Sequence, residues 1–340
     1  VSKMKKLLIF LFVSLYSFQS ISDELGVISL MYHRVGEGKY PSTNVSVEMF
    51  QQHLNAIEES GLKFIEPLKF KEQVLNGKKF TERYILLTVD DSFKSFYQNA
   101  WPILREKKIP FIIFVNTREI NSNHPNYMTW DQIRELRDSG LVTIGGHSWS
   151  HEYFVNMKIN EVKKDIETSH QDYLKELKFI PDLYAHTFGE TSSDLIELIK
   201  KFNYKIIFGQ HSGVISQNEN IYYLPRFSLN ENYGKPKRFK NILRSRAFNL
   251  KSYEPKTILL DQSNNPTNLK LTFNENVKGI NCFDNSGGSW RNTKINFVSP
   301  SIVELIFELP FKKRRGRINC TMPAADGLIK WFGYQYSVVN

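Results

Sequence analysis

Tyr84-Ile85-Leu86-Leu87-Thr88-Val89 runs directly into two adjacent carboxylates, Asp90 and Asp91. Six apolar or β-branched residues ending in charge read as a buried strand, and acids at the end of such a strand sit where a cleft can form. Two like charges side by side raise each other's pKa unless something positive is near, and a divalent metal would supply that charge. Downstream, Gly146-His147-Ser148-Trp149-Ser150-His151 offers two imidazoles four residues apart. Two histidines and one carboxylate make a ligand triad with positions open for water and substrate. The other carboxylate is then free to accept a proton from the water, the minimum set for metal-assisted hydrolysis.

Outward from this stretch, residues 27–213 alternate short strands with amphipathic helices. Val27–Met31, Tyr84–Val89, Phe111–Val115 and Leu141–Gly145 are predicted strands, with Tyr184 and Lys205–Phe208 as further short ones. Val47–Ser60 carries apolar residues at helical spacing and stops at Gly61. Phe93–Lys107 is predicted as one helix with a possible kink at Pro102, and Thr129-Trp130-Asp131-Gln132 is a capping box opening another. Asn160 is expected to cap a helix reaching Leu177, and Asp194–Phe202 is a further helix. Such units predict an α/β fold, either a barrel or a doubly wound sheet.

The texture changes near residue 231. Residues 231–256 are basic, contain Pro236 and Pro255 and read as a connector with a short helix near Phe239–Arg246. From 257 to 340 the pattern is all-β, with turn signals at Asn285-Ser286-Gly287-Gly288 and Asp326-Gly327. Cys282 and Cys320 are the two cysteines of the 340 residues, and in an exported chain they are expected to staple this small sandwich-like domain by a disulfide. Lys312–Arg315 reads as a solvated basic turn, and the aromatics Trp331, Phe332, Tyr334 and Tyr336 as sandwich core.

Lys3, Lys5 and Lys6 precede the apolar run Leu7–Phe18, which predicts a signal peptide over residues 1–22, with an uncleaved membrane anchor as the alternative. The expectation is therefore an exported protein, periplasmic or extracellular, without stable membrane insertion once the signal is removed. A formal charge of +10 favours polyanions, but export argues against a nucleic-acid partner.

Leu87-Thr88-Val89-Asp90-Asp91-Ser92 resembles the Thr-Phe-Asp-Asp motif of polysaccharide deacetylases of carbohydrate esterase family 4, the NodB-homology group. His147-Ser-Trp-Ser-His151 is similar to that family's second motif, and Met31-Tyr32-His33 and Met128-Thr-Trp-Asp131 resemble landmarks of its exported members acting on poly-N-acetylglucosamine. The resemblance covers roughly residues 27–229, within a catalytic domain bounded at 23–230. It implies an irregular (β/α) barrel with a metal at the strand C-terminal mouth, Asp90 as base, and Asp91, His147 and His151 as ligands of a divalent ion, zinc first, cobalt or nickel next.

Tyr184-Ala185-His186-Thr187-Phe188-Gly189-Glu190 stands at the third motif, with His186 and Thr187 where Tyr and Pro often occur. Phe188 and Gly189 are thereby candidate substrate contacts, as are His33 at a strand end and Trp130 at a helix start. The late Leu-x-His motif that supplies the family's general acid has no clear match. His211 is the nearest candidate for that role, and His186 the second. His53 and His170, on helices, read as surface residues. The activity implied is removal of N-acetyl groups from an acetylated polysaccharide. O-acetyl esterase action on xylan or another glycan is the alternative within enzymes, and a catalytically silent glycan binder the alternative outside them.

Overall fold

The computed structural model describes residues 24–339, so the expected signal peptide lies outside the described residues. Eight strands form one parallel sheet: β1 (Val27–Tyr32), β2 (Lys63–Phe64), β3 (Tyr84–Asp90), β4 (Phe111–Val115), β5 (Val142–Gly146), β6 (Leu183–Ala185), β7 (Ile206–Phe208) and β8 (Phe227–Ser228). The order is β8-β1-β3-β4-β5-β6-β7, with β2 pairing the first two residues of β3. A bridge between Phe208 and Leu224 links the last strand to the segment entering β8, so the sheet curls into an irregular (β/α) barrel. Parallel strands buried on both faces read as continuous apolar runs, which is why β3 and β4 were plain in the sequence.

Strand periodicity sets what faces the barrel interior. Leu87 and Val89 pack under the helices α1 (Val47–Glu59), α3 (Lys94–Asn99) and α4 (Trp101–Glu106), while Leu86 packs inside with Ile112, Phe114 and Phe208. Thr88 and Asp90 follow Leu86 at intervals of two, so Asp90 ends the inward row at the C-terminal mouth.

Three local expectations are corrected. The single helix over Phe93–Lys107 is two, divided at Ala100, because Pro102 has no N–H for the helical ladder. Helix α7 (Ile159–Leu177) starts after Lys158, not at an Asn160 cap; the Glu161 carboxylate accepts the Lys158 N–H at 3.0 Å. His53 is buried, not a surface residue: it lies on the apolar face of α1 with Phe50, Leu54 and Ile57, between the Tyr32 hydroxyl and the Gly234 carbonyl. The capping box at Thr129–Gln132 is present at the start of α6 (Trp130–Asp138).

Strands of the C-terminal region form two sheets. Ser245–Arg246 (β9), Leu259–Leu260 (β11), Asn281–Asp284 (β13), Arg291–Asn292 (β14), Arg315–Pro323 (β17) and Ile329–Val338 (β18) make the larger. Leu250–Glu254 (β10), Asn268–Phe273 (β12), Lys294–Ser299 (β15) and Ile302–Ile306 (β16) make the smaller. Residues 245–254, read from sequence as connector, thus contribute a strand to each sheet, behind the helix α9 (Pro236–Leu243). Cys282 and Cys320 face each other across β13 and β17 and are disulfide-bonded. Phe332, Tyr334 and Tyr336 fill the core between the sheets.

The same β18 seats this domain on the barrel. Gly333 lies so close to the Ser212 carbonyl that an added Cβ would meet its oxygen at 1.8 Å, which excludes any side chain there. Gln335 donates to the Gly189 carbonyl at 2.8 Å, and the Ser337 hydroxyl accepts the Thr191 N–H at 2.8 Å.

Candidate active site

Every residue of the sequence-predicted metal triad stands at the C-terminal mouth, the end where barrel loops converge. Asp91 follows β3 in a left-handed backbone conformation (φ 72°), which turns its carboxylate toward the loop after β5. That loop carries His147 and, after another left-handed residue at Ser148 (φ 70°), His151 (φ 54°). With Ser92 and Phe188, five of the nine positive-φ residues other than glycine among the described residues cluster here, as expected where backbone strain positions functional groups.

Asp91 Oδ1 lies 3.2 Å from His147 Nε2 and 3.0 Å from His151 Nε2. One donor atom from each of the three residues falls within 4.8 Å of the others. Asp91 Oδ1 and His147 Nε2 are buried without a hydrogen-bond partner among the described residues. His147 Nδ1 is 2.8 Å from the Ala185 carbonyl, so it carries the proton and Nε2 presents its lone pair inward. Orphaned donors aimed at one point fit a divalent cation. Burial would raise the Asp91 pKa, but His151 and His147 outweigh it and hold the carboxyl well below its usual range.

Asp90 is fully buried beneath this cluster. Arg226 holds it bidentately, Nη1 to Oδ1 at 2.6 Å and Nη2 to Oδ2 at 2.9 Å. The guanidinium also bonds the Gly209 carbonyl and the Thr88 hydroxyl, and it lies over the Phe114 and Phe208 rings. Burial alone would protonate Asp90, but the Arg226 charge, helped by His147 and His33, keeps its pKa below the ordinary value. A carboxylate fixed in its basic form beside a cluster that could hold a metal is equipped to take a proton from water.

His33 sits 4.0 Å from Asp90 and lines a cavity of about 380 Å³ together with Asp91, His151 and Phe188. Phe188 stacks on Tyr153 and meets His151 edge-on, so it forms a wall beside the cluster. Gly189 (φ 66°) is buried behind that wall, with no room for a Cβ against Gln210, and its carbonyl accepts from Tyr223 and Gln335. Trp130 is not brought to the cavity wall: it packs against the core at the start of α6 and donates to Asn121. His186 and His211 also stand outside the wall that Asp91 and His151 share. Both are buried, and desolvation pushes each imidazole down to about 3, which favours the neutral form at neutral pH.

Sequence reasoning missed Arg226, although an arginine between Leu224-Pro225 and Phe227 in an apolar setting signals a buried charge with a partner. It also missed Asp165. On α7 this residue shares the buried face with Val162, Ile166, Ser169 and Tyr173, and its carboxylate accepts the Trp149 and Ser150 N–H groups at 2.7 and 3.0 Å. The loop between the two histidines is thereby tied to a helix. The expected solvated turn at Lys312–Arg315 is partly engaged: Arg314 and Arg315 ion-pair with buried Glu190 of the third motif at 2.9 and 3.1 Å.

Comparison with known proteins agrees with this geometry. Residues 77–207 match the family model described as polysaccharide deacetylase. A poly-beta-1,6-N-acetyl-D-glucosamine N-deacetylase of Staphylococcus aureus is 25% identical over 233 residues, 61% of this chain and 80% of that protein. The deacetylase PplD of Streptococcus pyogenes superposes with a TM-score of 0.58 at 20% identity, over 65% of this chain and 99% of that one. IcaB from Ammonifex degensii gives 0.57 at 20% identity, over 64% and 97%. Over residues 77–207 the chain is thus similar in sequence to polysaccharide deacetylases, and the barrel and the mouth geometry agree with a hydrolytic domain of that type.

Proposed function

We propose that this mouth removes N-acetyl groups from an N-acetylglucosamine-containing polysaccharide, in a protein acting outside the cytoplasm. The observation that carries the reading is the pairing of a three-ligand cluster with a separate carboxylate held ionised by Arg226. The relatives named for N-deacetylation point to the same substrate class. Asp91, His147 and His151 would hold a divalent ion, with zinc the best fit to two imidazoles and one carboxylate, and cobalt or nickel next. Such an ion, when bound, polarises a carbonyl and acidifies water.

The chain's own residues account for the proton path. Asp90 accepts the proton of the attacking water at a carboxylate oxygen, while Arg226 keeps that carboxylate oriented and charged. His33 is the histidine that faces the cavity, 4.0 Å from Asp90, and so the candidate to return a proton to the departing amine nitrogen; burial lowers its pKa, and the charges of Asp91 and Asp90 oppose that shift. His186 and His211 are better read as neutral packing groups around Tyr223. Phe188 offers an apolar edge on which a sugar ring can rest.

The decisive measurement is acetate release from β-1,6-linked N-acetylglucosamine oligomers and from acetylated xylan, with bound metal quantified in parallel. Release from the amide substrate that Asp90→Asn abolishes while metal is retained supports the reading. Release from xylan alone would move the activity to ester hydrolysis, and metal binding without any release would indicate a glycan binder.

A further inference from the structure

The cavity beside Asp91 does not end at the barrel. It continues between the barrel and the β-domain into a second hollow of about 120 Å³, and both are lined by Gln210, Ser228, Tyr233 and Arg317. Arg238 from α9 and Arg317 from β17 enter this hollow from opposite domains. Their hydrogen-bond partners are neutral: Arg238 donates to the Tyr233 and Ser228 carbonyls and the Ser212 hydroxyl, and Arg317 Nε donates to the Gln335 side chain. Neither lies within ion-pair distance of a carboxylate among the described residues. Their neighbours differ, because Arg314 and Arg315 are compensated by Glu190. Burial, together with the charge of Arg317, lowers the pKa of Arg238 to about 10, so the two guanidiniums repel across the hollow. Trp290 stands at its rim 47% exposed, and Tyr233 40% exposed.

We propose that this hollow is a glycan subsite that takes a carboxylate-bearing sugar unit, next to the N-acetylated unit at the metal-ligand cluster. The identity of the polymer as an acetylated glycan rests on the deacetylase reading; the charge preference rests on the two arginines. A planar guanidinium matches a carboxylate bidentately, and an anion between Arg238 and Arg317 relieves their mutual repulsion. Exposed aromatic faces at Trp290 and Tyr233 suit the apolar face of a sugar ring. A glucosaminium unit, the product of deacetylation, would add a third positive charge and is turned away. The β-domain therefore acts as a specificity element, and the cleft favours acidic and still-acetylated stretches over deacetylated ones.

The test is calorimetric titration of the full chain, at low ionic strength, with three hexasaccharides. One alternates N-acetylglucosamine with glucuronic acid, one is neutral N-acetylglucosamine, and one is glucosamine. The acidic oligomer is expected to bind about tenfold more tightly than the neutral one, and glucosamine most weakly. Raised salt should erode the acidic advantage. Arg317→Gln and Arg238→Gln should each shrink the acidic-to-neutral ratio several-fold, whereas Arg317→Lys should keep part of it. Thermal melts of each variant establish that it is folded. Equal affinity for acidic and neutral oligomers, or a ratio intact in both glutamine variants, overturns the subsite. Acetate release from the neutral oligomer is followed separately. Release without acidic preference removes the subsite alone, and acidic preference without release removes the deacetylase reading alone.

Discussion

Arg226 binds both oxygens of Asp90 while neither side chain is accessible to solvent, so the proposed base is held by a buried charge anchored beside β8, two strands away in the sheet. Removing one member of such a pair leaves the other charge uncompensated, typically about 3–5 kcal/mol of lost stability. Arg226→Met is therefore expected to destabilise the barrel by that order and to release Asp90 to its protonated form. Arg226→Lys keeps the charge but loses the fork, and should lower kcat by about tenfold or more with a smaller effect on stability. Chemical denaturation and acetate-release kinetics on the two variants separate these effects.

Metal removal should silence the enzyme without unfolding the barrel. Dialysis against a chelator is expected to abolish acetate release and lower the melting temperature, because a ligand bound only by the native state stabilises it by mass action. Re-addition of zinc should restore both. Elemental analysis of His147→Ala, which deletes a buried proposed ligand fixed through Ala185, should show metal well below one equivalent.

Asp165 touches no proposed ligand side chain, yet it ties down the backbone at Trp149 and Ser150. Asp165→Asn keeps the size and removes the charge-assisted acceptor. The expected result is metal affinity reduced about 10–100-fold, with saturating metal rescuing most of the activity. Failure of excess metal to rescue would assign Asp165 to folding instead.

His53 should make the fold sensitive to acid. Burial pushes its pKa down to about 4, against the favourable Gly234 carbonyl contact. A depressed imidazole pKa means that the unfolded chain binds the proton more readily, so stability falls as pH drops through the unfolded value near 6.5 and levels off below about 4. A depression of this size corresponds to roughly 3 kcal/mol for this group at full protonation. His53→Gln should lose some stability at neutral pH and show a shallower decline between pH 6.5 and 4 in denaturant titrations.

The disulfide should matter to the β-domain more than to the metal cluster. Cys282 and Cys320 close a loop of 38 residues, for which chain-entropy reasoning gives a stabilisation of about 4 kcal/mol. The double alanine variant is expected to melt earlier, with metal content unchanged in the folded protein. Calorimetry and elemental analysis report the two outcomes independently.

The sequence made some parts of this molecule legible and hid others for identifiable reasons. Strands β3 and β4, the stop of α1 at Gly61 and the capping box of α6 are local: their apolar runs and end signals lie within a few positions of one another. Asp91, His147 and His151 were legible because two short motifs carry them. Arg226 was not, because its partner Asp90 lies 136 residues earlier and no local pattern records the pairing. His53 misled for the opposite reason: a histidine on an amphipathic helix looks exposed until Gly234, 181 residues away, is folded against it. Trp130 drew a binding role from its motif, whereas its indole is committed to Asn121 and the core. The cleft arginines were invisible because their setting exists only once two domains meet.

The contact between Gln335 and the Gly189 carbonyl joins residues 146 positions apart. Contacts of such separation close late, since the entropy of the intervening loop opposes them until most of the chain has condensed. The metal-ligand half of the mouth needs nothing beyond the barrel. The wall that supports Phe188 and Gly189 waits for β18. A chain interrupted before that strand would therefore gather its ligands around an unfinished groove, able to bind an ion before it can choose a glycan.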